Sequence, residues 1–247
     1  MPRLHAGQIC AGGANGTSAA AFGQNKQVID LGPLAGRTFA AVIFDMDGTL
    51  IDSTPAVVRS WSKWAVEHGI APEDLVFHHG VPAAGVVAAV LPAERYESAL
   101  ARINELELAD VEQIDLMPGA REALDAVAGA PRAIATSCTR ALATARLAAS
   151  GIPAPPVLVT ASDVVHGKPS PDPFLAAAER LGLDPTTCLV VEDAPAGVQA
   201  ARAAGCASLA VATTVEADEL SAADCVVSDL SAVRFVASDD GIRVRPA

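Results

Sequence analysis

The chain has 247 residues, of which 51% are hydrophobic and 4% aromatic, and its formal net charge is -12. A chain of this length and composition can bury a sizeable core made mainly of alanine, valine and leucine, which excludes a disordered protein. The excess of negative charge excludes nucleic acid and anionic membranes as expected partners, because both attract basic surfaces. No apolar run approaches the roughly 20 residues that a membrane-spanning helix needs.

Residues 1–37 are expected to form a flexible N-terminal extension. Glycine and polar residues interrupt every apolar stretch of this segment that could serve as the centre of a signal peptide. The chain has five cysteines and no C-x-x-C pair, which is typical of a protein from a reducing compartment rather than of a disulfide framework or a zinc site. These features predict a cytoplasmic location.

From residue 39 onward, short apolar runs alternate with longer helical patterns. This alternation predicts an α/β fold with a parallel sheet that is covered by helices. The predicted strands are residues 39–44, 131–136, 157–160, 187–191, 207–212 and 225–227. Near the C-terminus, residues 234–238 and 242–245 flank an Asp-Asp-Gly turn, which predicts an edge hairpin.

One long segment interrupts the alternation of strands and helices. Residues 46–130 separate the first two predicted strands, whereas a βαβ unit needs only roughly 30 residues. Residues 55–116 contain only helical patterns, so we expect an all-α domain inserted into a core of residues 38–54 and 117–247. Two domains that meet above the carboxyl ends of the strands form a cleft that can close.

Polar side chains follow four of the predicted strands. They are Asp45 with Asp47, Thr136 with Ser137, Lys168 in the next loop, and Glu192 with Asp193. Because the carboxyl ends of parallel strands lie along one rim of an open sheet, we expect these side chains to converge.

Carboxylates crowded on one rim repel one another unless a cation lies between them. Oxygen ligands without histidine or thiolate favour Mg²⁺ over zinc. A carboxylate beside Mg²⁺ can attack phosphorus and form an aspartyl phosphate. Lys168 and Thr136 would then hold the non-bridging phosphate oxygens, since phosphoryl transfer depends mainly on positioning and charge neutralisation.

The four ordered motifs resemble those of the haloacid dehalogenase-like phosphatases. They read Asp45-Met46-Asp47-Gly48-Thr49, Thr136-Ser137, Lys168-Pro169 and Glu192-Asp193. The helical insertion after the first motif is similar to the cap of the subgroup that contains β-phosphoglucomutase, glycerol-phosphate phosphatases and bacterial sugar phosphatases. The resemblance covers residues 39–245 and implies a Rossmann-like parallel sheet with an inserted helical cap.

The resemblance also implies a role for each motif residue. Asp45 would be the nucleophile, and Asp47 would be the general acid that protonates the leaving alcohol and then the base that activates water. Side chains two residues apart on a strand point the same way, so both can serve one phosphorus atom. The implied Mg²⁺ ligands are Asp45, the backbone carbonyl of Asp47, Glu192 and Asp193.

The implied phosphate site contains Gly48, Lys168 and a hydroxyl from the second motif. Gly48 would let the chain turn close to the phosphate. Thr136 is preferred as the hydroxyl residue, with Ser137 as a neighbour whose backbone amide also binds phosphate. His79 lies in the predicted cap loop, where a substrate contact and a structural role are both open.

Within the subgroup, the sequence favours a phosphatase over a mutase. Val57 stands where the mutase has a histidine of its transfer cycle, and residues 76–82 lack the arginine that grips its second phosphate. The implied substrate is a small sugar or polyol monophosphate, and we expect a monomer. The alternatives are a β-phosphoglucomutase-like sugar phosphomutase and a non-enzymatic phospho-aspartate signalling module, although such modules carry their acceptor at the third strand.

Overall fold

The computed structural model describes residues 29–71 and 82–247. The strands are β1 (Ala41–Phe44), β2 (Ile51–Asp52), β3 (Asp115–Leu116), β4 (Arg132–Ala135), β5 (Val157–Val159), β6 (Cys188–Glu192), β7 (Ala207–Val211), β8 (Cys225–Val227), β9 (Val233–Ser238) and β10 (Gly241–Pro246). The α-helices are α1 (Thr54–His68), α2 (Ala83–Val90), α3 (Ala93–Ala109), α4 (Ala120–Ala126), α5 (Arg140–Ala149), α6 (Asp172–Leu181) and α7 (Pro195–Ala203).

Six parallel strands form the main sheet in the order β5-β4-β1-β6-β7-β8. Each of them coincides, within two residues at either end, with a strand predicted from the sequence. The first strand, β1, lies in the middle and pairs with β4 and β6. The carboxyl ends of these three strands therefore lie side by side on one rim. The predicted α/β fold is confirmed.

The residues of β1 alternate between two hydrophobic clusters. Val42 and Phe44 face a cluster that includes residues of α4 and α5, whereas Ala41 and Ile43 face one that includes residues of α6 and α7. This alternation follows from the two-residue period of a strand. A strand that buries both of its faces holds the acidic residues that follow it in a fixed position.

The end of the predicted N-terminal extension belongs to the core. Leu31 and Leu34 are buried in the same cluster as Val42 and Phe44, so residues 31–34 are not the flexible segment that the sequence predicted. Leu31 and Leu34 show no helical or strand periodicity, so the sequence pattern did not predict that this segment packs against the core. Residues 1–28 of the extension lie outside the described residues.

We expect Leu34→Ala to lower the free energy of unfolding by about 2–5 kcal/mol, because it leaves a cavity at a fully buried site. Urea unfolding followed by circular dichroism measures the change. Val165→Ala is the control, since Val165 is 87% exposed and its truncation should change stability by less than about 0.5 kcal/mol. A similarly small effect at Leu34 would contradict the assignment of this segment to the core.

Helices α1, α2 and α3, together called the helical insertion, lie in sequence between β2 and β3. They pack around their own cluster, which includes Trp61, Trp64 and Ile103. The indole of Trp64 donates a hydrogen bond to the carbonyl of Ala99 across the α1–α3 contact (2.8 Å). The chain enters and leaves the insertion through β2 and β3, which pair with each other. None of the helices described is long and apolar enough to cross a lipid bilayer.

The C-terminal hairpin predicted from the sequence is present as the antiparallel pair β9–β10. It forms a separate two-stranded sheet that is linked to the start of the core by a bridge between Phe39 and Ile242. Phe235 of β9 packs edge-on against Phe44, with ring centroids 5.8 Å apart. The hairpin therefore helps to bury the strand that precedes the first motif.

Candidate active site

A cavity of about 320 Å³ lies between the rim of the sheet and the helical insertion. Asp45, Asp47 and Thr136 line it from the sheet side. Trp61 and Glu107 line it from the insertion. The cleft expected from the sequence thus has the motif residues at one end and insertion side chains at the other.

A buried lysine joins two of the acidic motifs. The ammonium group of Lys168 donates hydrogen bonds to Oδ1 of Asp45 and, at 2.6 Å, to Oε1 of Glu192. All three side chains are buried. Burial alone would lower the pKa of Lys168, but the two carboxylates raise it above its ordinary value. The lysine therefore stays charged and neutralises part of the negative charge at the rim.

Glu192 is fixed against the start of α7. Its Oε2 accepts hydrogen bonds from the backbone N–H groups of Asp193 (2.8 Å) and Ala194 (2.7 Å). Gly197, in the first turn of α7, makes room for the carboxylate, since a Cβ atom there would lie 1.7 Å from Oε1. The glycine thus allows Glu192 to reach Lys168.

We expect Gly197→Ala to displace Glu192 from Lys168 and to lower turnover by about 10²-fold, the scale of effect of misplacing an active-site group. Alanine is the better helix former, so helix propensity alone would favour the variant. Phosphate release and urea unfolding measure the two effects. Gly129→Ala is the control, because nothing lies within 4 Å of its added methyl group. Unchanged turnover in Gly197→Ala would show that the position of Glu192 is unimportant.

Asp193 is held by two threonines. Oδ1 accepts a hydrogen bond from the hydroxyl of Thr49 (3.1 Å), and Oδ2 accepts one from the hydroxyl of Thr214 (2.6 Å). Gly48 passes close to the same carboxylate with a φ of +87°, and a Cβ atom there would lie 2.2 Å from Oδ2. The turn after the first motif therefore needs glycine both for its backbone conformation and for space.

The carboxylates of Asp45, Glu192 and Asp193 form a cluster whose nearest oxygen atoms all lie within 4.8 Å of one another. Burial raises the pKa of Asp45 well above its usual range, although Lys168 opposes this. Burial and the charge of Glu192 raise the pKa of Asp193 to about 7. A divalent cation among these oxygens would favour the ionised forms. The donor set therefore fits a hard cation such as Mg²⁺.

Asp47 lies at the wall of the cavity, and several donors converge on its carboxylate. Oδ1 accepts hydrogen bonds from the hydroxyl of Ser53 (2.6 Å) and from Nη1 of Arg146 (2.8 Å). The thiol of Cys138 donates to Oδ2 at 3.1 Å, and the hydroxyl of Thr136 lies 3.5 Å from the same atom. The structure thus brings the first two motifs together.

Thr136 and Ser137 both line the cavity at the end of β4. Thr136 is buried, and its hydroxyl also accepts a hydrogen bond from the backbone N–H of Cys138 (3.1 Å). The hydroxyl of Thr136 is therefore oriented by the turn after β4. His79, a candidate substrate contact for which a structural role was also open, lies outside the described residues.

Two charged residues of this site lie outside the sequence motifs and were not predicted. Arg146 on α5 and Glu107 on α3 are buried and line the cavity. Neither belongs to a motif. Their spacing could have indicated burial, because residues four apart lie on the same face of a helix. Arg146 lies four residues after Leu142, and Glu107 lies four residues after Ile103.

A parallel sheet that presents acidic, hydroxyl and lysine side chains at one rim defines a class of α/β enzymes suited to phosphoryl transfer. Comparison with known proteins agrees, because the model of the haloacid dehalogenase-like hydrolase family matches residues 39–205. The chain therefore belongs to the haloacid dehalogenase-like hydrolases.

Individual relatives cover most of the chain. Hexitol phosphatase A of Escherichia coli is 43% identical over 210 residues, which cover 81% of this chain and 95% of that protein. Glycerol-1-phosphate phosphohydrolase 2 of Saccharomyces cerevisiae is 34% identical over 206 residues, covering 78% and 82%. The crystal structure of a hydrolase from Pseudomonas syringae superposes with a TM-score of 0.71 at 29% identity, covering 78% of this chain and 94% of that one.

Proposed function

We propose that this protein is a magnesium-dependent phosphatase that hydrolyses a small sugar or polyol monophosphate through an aspartyl phosphate. The observation that carries the proposal is that Asp45, Asp47 and Thr136 meet at one end of a cavity that the helical insertion covers, with the buried Lys168 paired to Asp45 behind them. The family membership and the phosphatases among its relatives support it.

In the first step, the carboxylate of Asp45 attacks phosphorus, and the bond from phosphorus to the leaving oxygen breaks. Asp47 donates a proton to that oxygen, so the substrate departs as a neutral alcohol. Lys168 and Thr136 hold the non-bridging oxygens, whose charge must be balanced in the transition state. In the second step, Asp47 takes a proton from water, which attacks the aspartyl phosphate and releases inorganic phosphate and free Asp45.

Asp45, the backbone carbonyl of Asp47, Glu192 and Asp193 would hold Mg²⁺. Glu192 also accepts a hydrogen bond from Lys168. When bound, Mg²⁺ supplies positive charge next to the phosphate. The chain's own contribution is to bring these oxygens together and to keep them buried.

The charges around the cavity favour a neutral leaving group. Arg146 is the one cationic side chain among the described residues that line it, and two carboxylates already pair with it, those of Asp47 and Glu107. Residues 72–81, which lie outside the described part of the chain, contain no lysine or arginine. Among the described residues, a second phosphate or a carboxylate on the leaving group would therefore lack an unpaired cationic partner, whereas sugar and polyol hydroxyls need none.

We further propose that the helical insertion acts as a cap domain over the core, as the cavity between them suggests. The proposed enzyme is a cytoplasmic monomer that acts on a small molecule. The cysteines among the described residues, all unpaired, support a reducing compartment. Size-exclusion chromatography with light scattering tests the monomer.

Phosphate release from a panel of monophosphates tests the function. With Mg²⁺ present, we expect neutral sugar and polyol monophosphates to exceed phosphoglycolate and sugar bisphosphates by about tenfold or more in kcat/KM, a difference of about 1.4 kcal/mol. Chelation of Mg²⁺ should abolish release, and added Mg²⁺ should restore it. Isomerisation of a hexose phosphate in the presence of a catalytic bisphosphate would favour a mutase instead. A phosphoenzyme that persists for hours without turnover would favour a signalling module.

A further inference from the structure

We propose that Arg146 is a positioning residue that ties the carboxylate of Asp47 to the helical insertion, so that seating the insertion orients the general acid and base. The inference rests on the proposed function, because it concerns the proton transfers assigned to Asp47. It assigns a task to two buried charged residues, Arg146 and Glu107, that the mechanism above does not use.

A single guanidinium contacts both parts of the protein. Nη1 of Arg146 donates to Oδ1 of Asp47 at 2.8 Å, and Nη2 donates to Oε1 of Glu107 at 3.3 Å. Arg146 belongs to α5 of the core and Glu107 to α3 of the insertion. The path from the insertion to Asp47 therefore consists of two ion pairs that share one planar guanidinium group.

Burial gives this connection its strength. Arg146 is 2% exposed and Glu107 is 7% exposed, so water cannot replace either partner. Removing one member of a buried ion pair is strongly destabilising, because the other charge is left without compensation. An insertion that moved away from the core would break the Glu107–Arg146 pair and leave Arg146 paired with Asp47 alone.

The shape of arginine suits this task better than that of lysine. Its planar fork presents two N–H donors in fixed directions, so holding Glu107 with one fixes the direction of the other toward Asp47. Ser53 and Cys138 also donate to Asp47. Cys138 belongs to the core, and Ser53 is the N-cap residue of α1, at the start of the insertion and away from α3. Among the described contacts of Asp47, Arg146 is thus the one through which the position of α3 can change the orientation of the Asp47 carboxylate.

The leaving group makes the role of Arg146 measurable. An alkyl phosphate releases an alkoxide unless Asp47 protonates it, whereas 4-nitrophenyl phosphate releases a phenolate that departs without a proton. Misplacing Asp47 should therefore slow the first step for the alkyl ester much more than for the aryl ester. Damage to the fold or to the phosphate site would slow both esters equally.

We would compare Arg146→Met with the wild-type enzyme under single-turnover conditions, with Mg²⁺ present and enzyme in excess. The probes are glycerol 1-phosphate and 4-nitrophenyl phosphate. We expect the first-step rate constant to fall about 10²-fold for the glycerol ester, within the range of general acid catalysis, and less than about threefold for the aryl ester. Arg146→Lys keeps the charge without the fork and should restore only part of the loss.

Two matched controls lie on the same helices. Arg140→Met removes an exposed arginine of α5 that pairs with Asp163, and Glu105→Gln changes an exposed carboxylate of α3 that pairs with Arg102. Both should leave the ratio of the two rate constants unchanged. Should Arg146→Met fail to fold, Glu107→Gln serves as the second test, and it should lower the glycerol ester rate at least about threefold relative to the aryl ester.

Equal losses on both esters in folded variants, or an unchanged ratio in Glu107→Gln, would overturn the positioning role of Arg146. A wild-type enzyme that hydrolyses no monophosphate ester would instead contradict the proposed function. The two failures are therefore distinguishable in one set of measurements.

Discussion

Asp45→Asn is expected to abolish phosphate release, with a loss on the order of 10⁴-fold or more, the scale seen when a catalytic nucleophile is removed. The amide oxygen can still accept the hydrogen bond that Lys168 donates to Asp45, but it cannot attack phosphorus. Because asparagine has the size of aspartate, the fold should be retained, which circular dichroism and urea unfolding would check. Substantial turnover by a folded Asp45→Asn would contradict the nucleophile assignment.

Asp47→Asn is expected to trap the intermediate that Asp45→Asn cannot form. With 4-nitrophenyl phosphate the first step needs no proton from residue 47, so the enzyme becomes phosphorylated, but water then lacks its base. Intact-protein mass spectrometry should show a phosphorylated chain. Hydroxylamine should remove the phosphate, as expected of an acyl phosphate. The double variant with Asp45→Asn is the control and should carry no phosphate. Phosphate found on another residue would refute the assignment of Asp45 as the nucleophile.

The sequence predicted the sheet and the placement of its motifs because both depend on local patterns. Short apolar runs identified β1, β4 and β6, and parallel pairing then required the residues that follow these strands to meet on one rim. Asp45, Thr136 and Glu192 could thus be assigned to one site without knowledge of any helix orientation.

Arg146 and Glu107 could not be assigned in this way. Each lies within a helix, where a single charged residue is usually solvated. Only their helical spacing from Leu142 and Ile103 indicates a buried face. That spacing does not show that the two faces oppose each other, because the angle between α3 and α5 depends on how the insertion seats on the core.

Two threonines of the loop after β7, Thr213 and Thr214, were missed for another reason. Thr214 follows β7 in a loop without a motif, yet its hydroxyl holds Asp193. Its neighbour Thr213 donates to the carbonyl of Gly48 at 2.5 Å. The positions of loop residues depend on tertiary contacts. The hydrophobic periodicity that predicts strands and helices does not reveal those contacts.

Lys168→Met is expected to reduce both stability and turnover. Methionine can fill the space of the lysine stem, but Asp45 and Glu192 would then be buried without the ammonium group that pairs with them. Breaking a buried ion pair in this way costs about 3–5 kcal/mol. Loss of a cation that neutralises the transferring phosphate should lower turnover by about 10²–10³-fold.

Urea unfolding with and without Mg²⁺ separates the two effects of Lys168→Met. We expect Mg²⁺ to stabilise the variant more than the wild type, because the ion would supply positive charge to carboxylates that have lost their lysine. Turnover should stay low even where stability is restored, since Lys168 also contacts the phosphate in the proposed mechanism. Lys63→Met, at an exposed position of α1, is the control and should match the wild type in both measurements. A Lys168→Met enzyme that unfolds at the wild-type urea concentration and retains its turnover would show that this lysine neither balances the rim carboxylates nor binds phosphate.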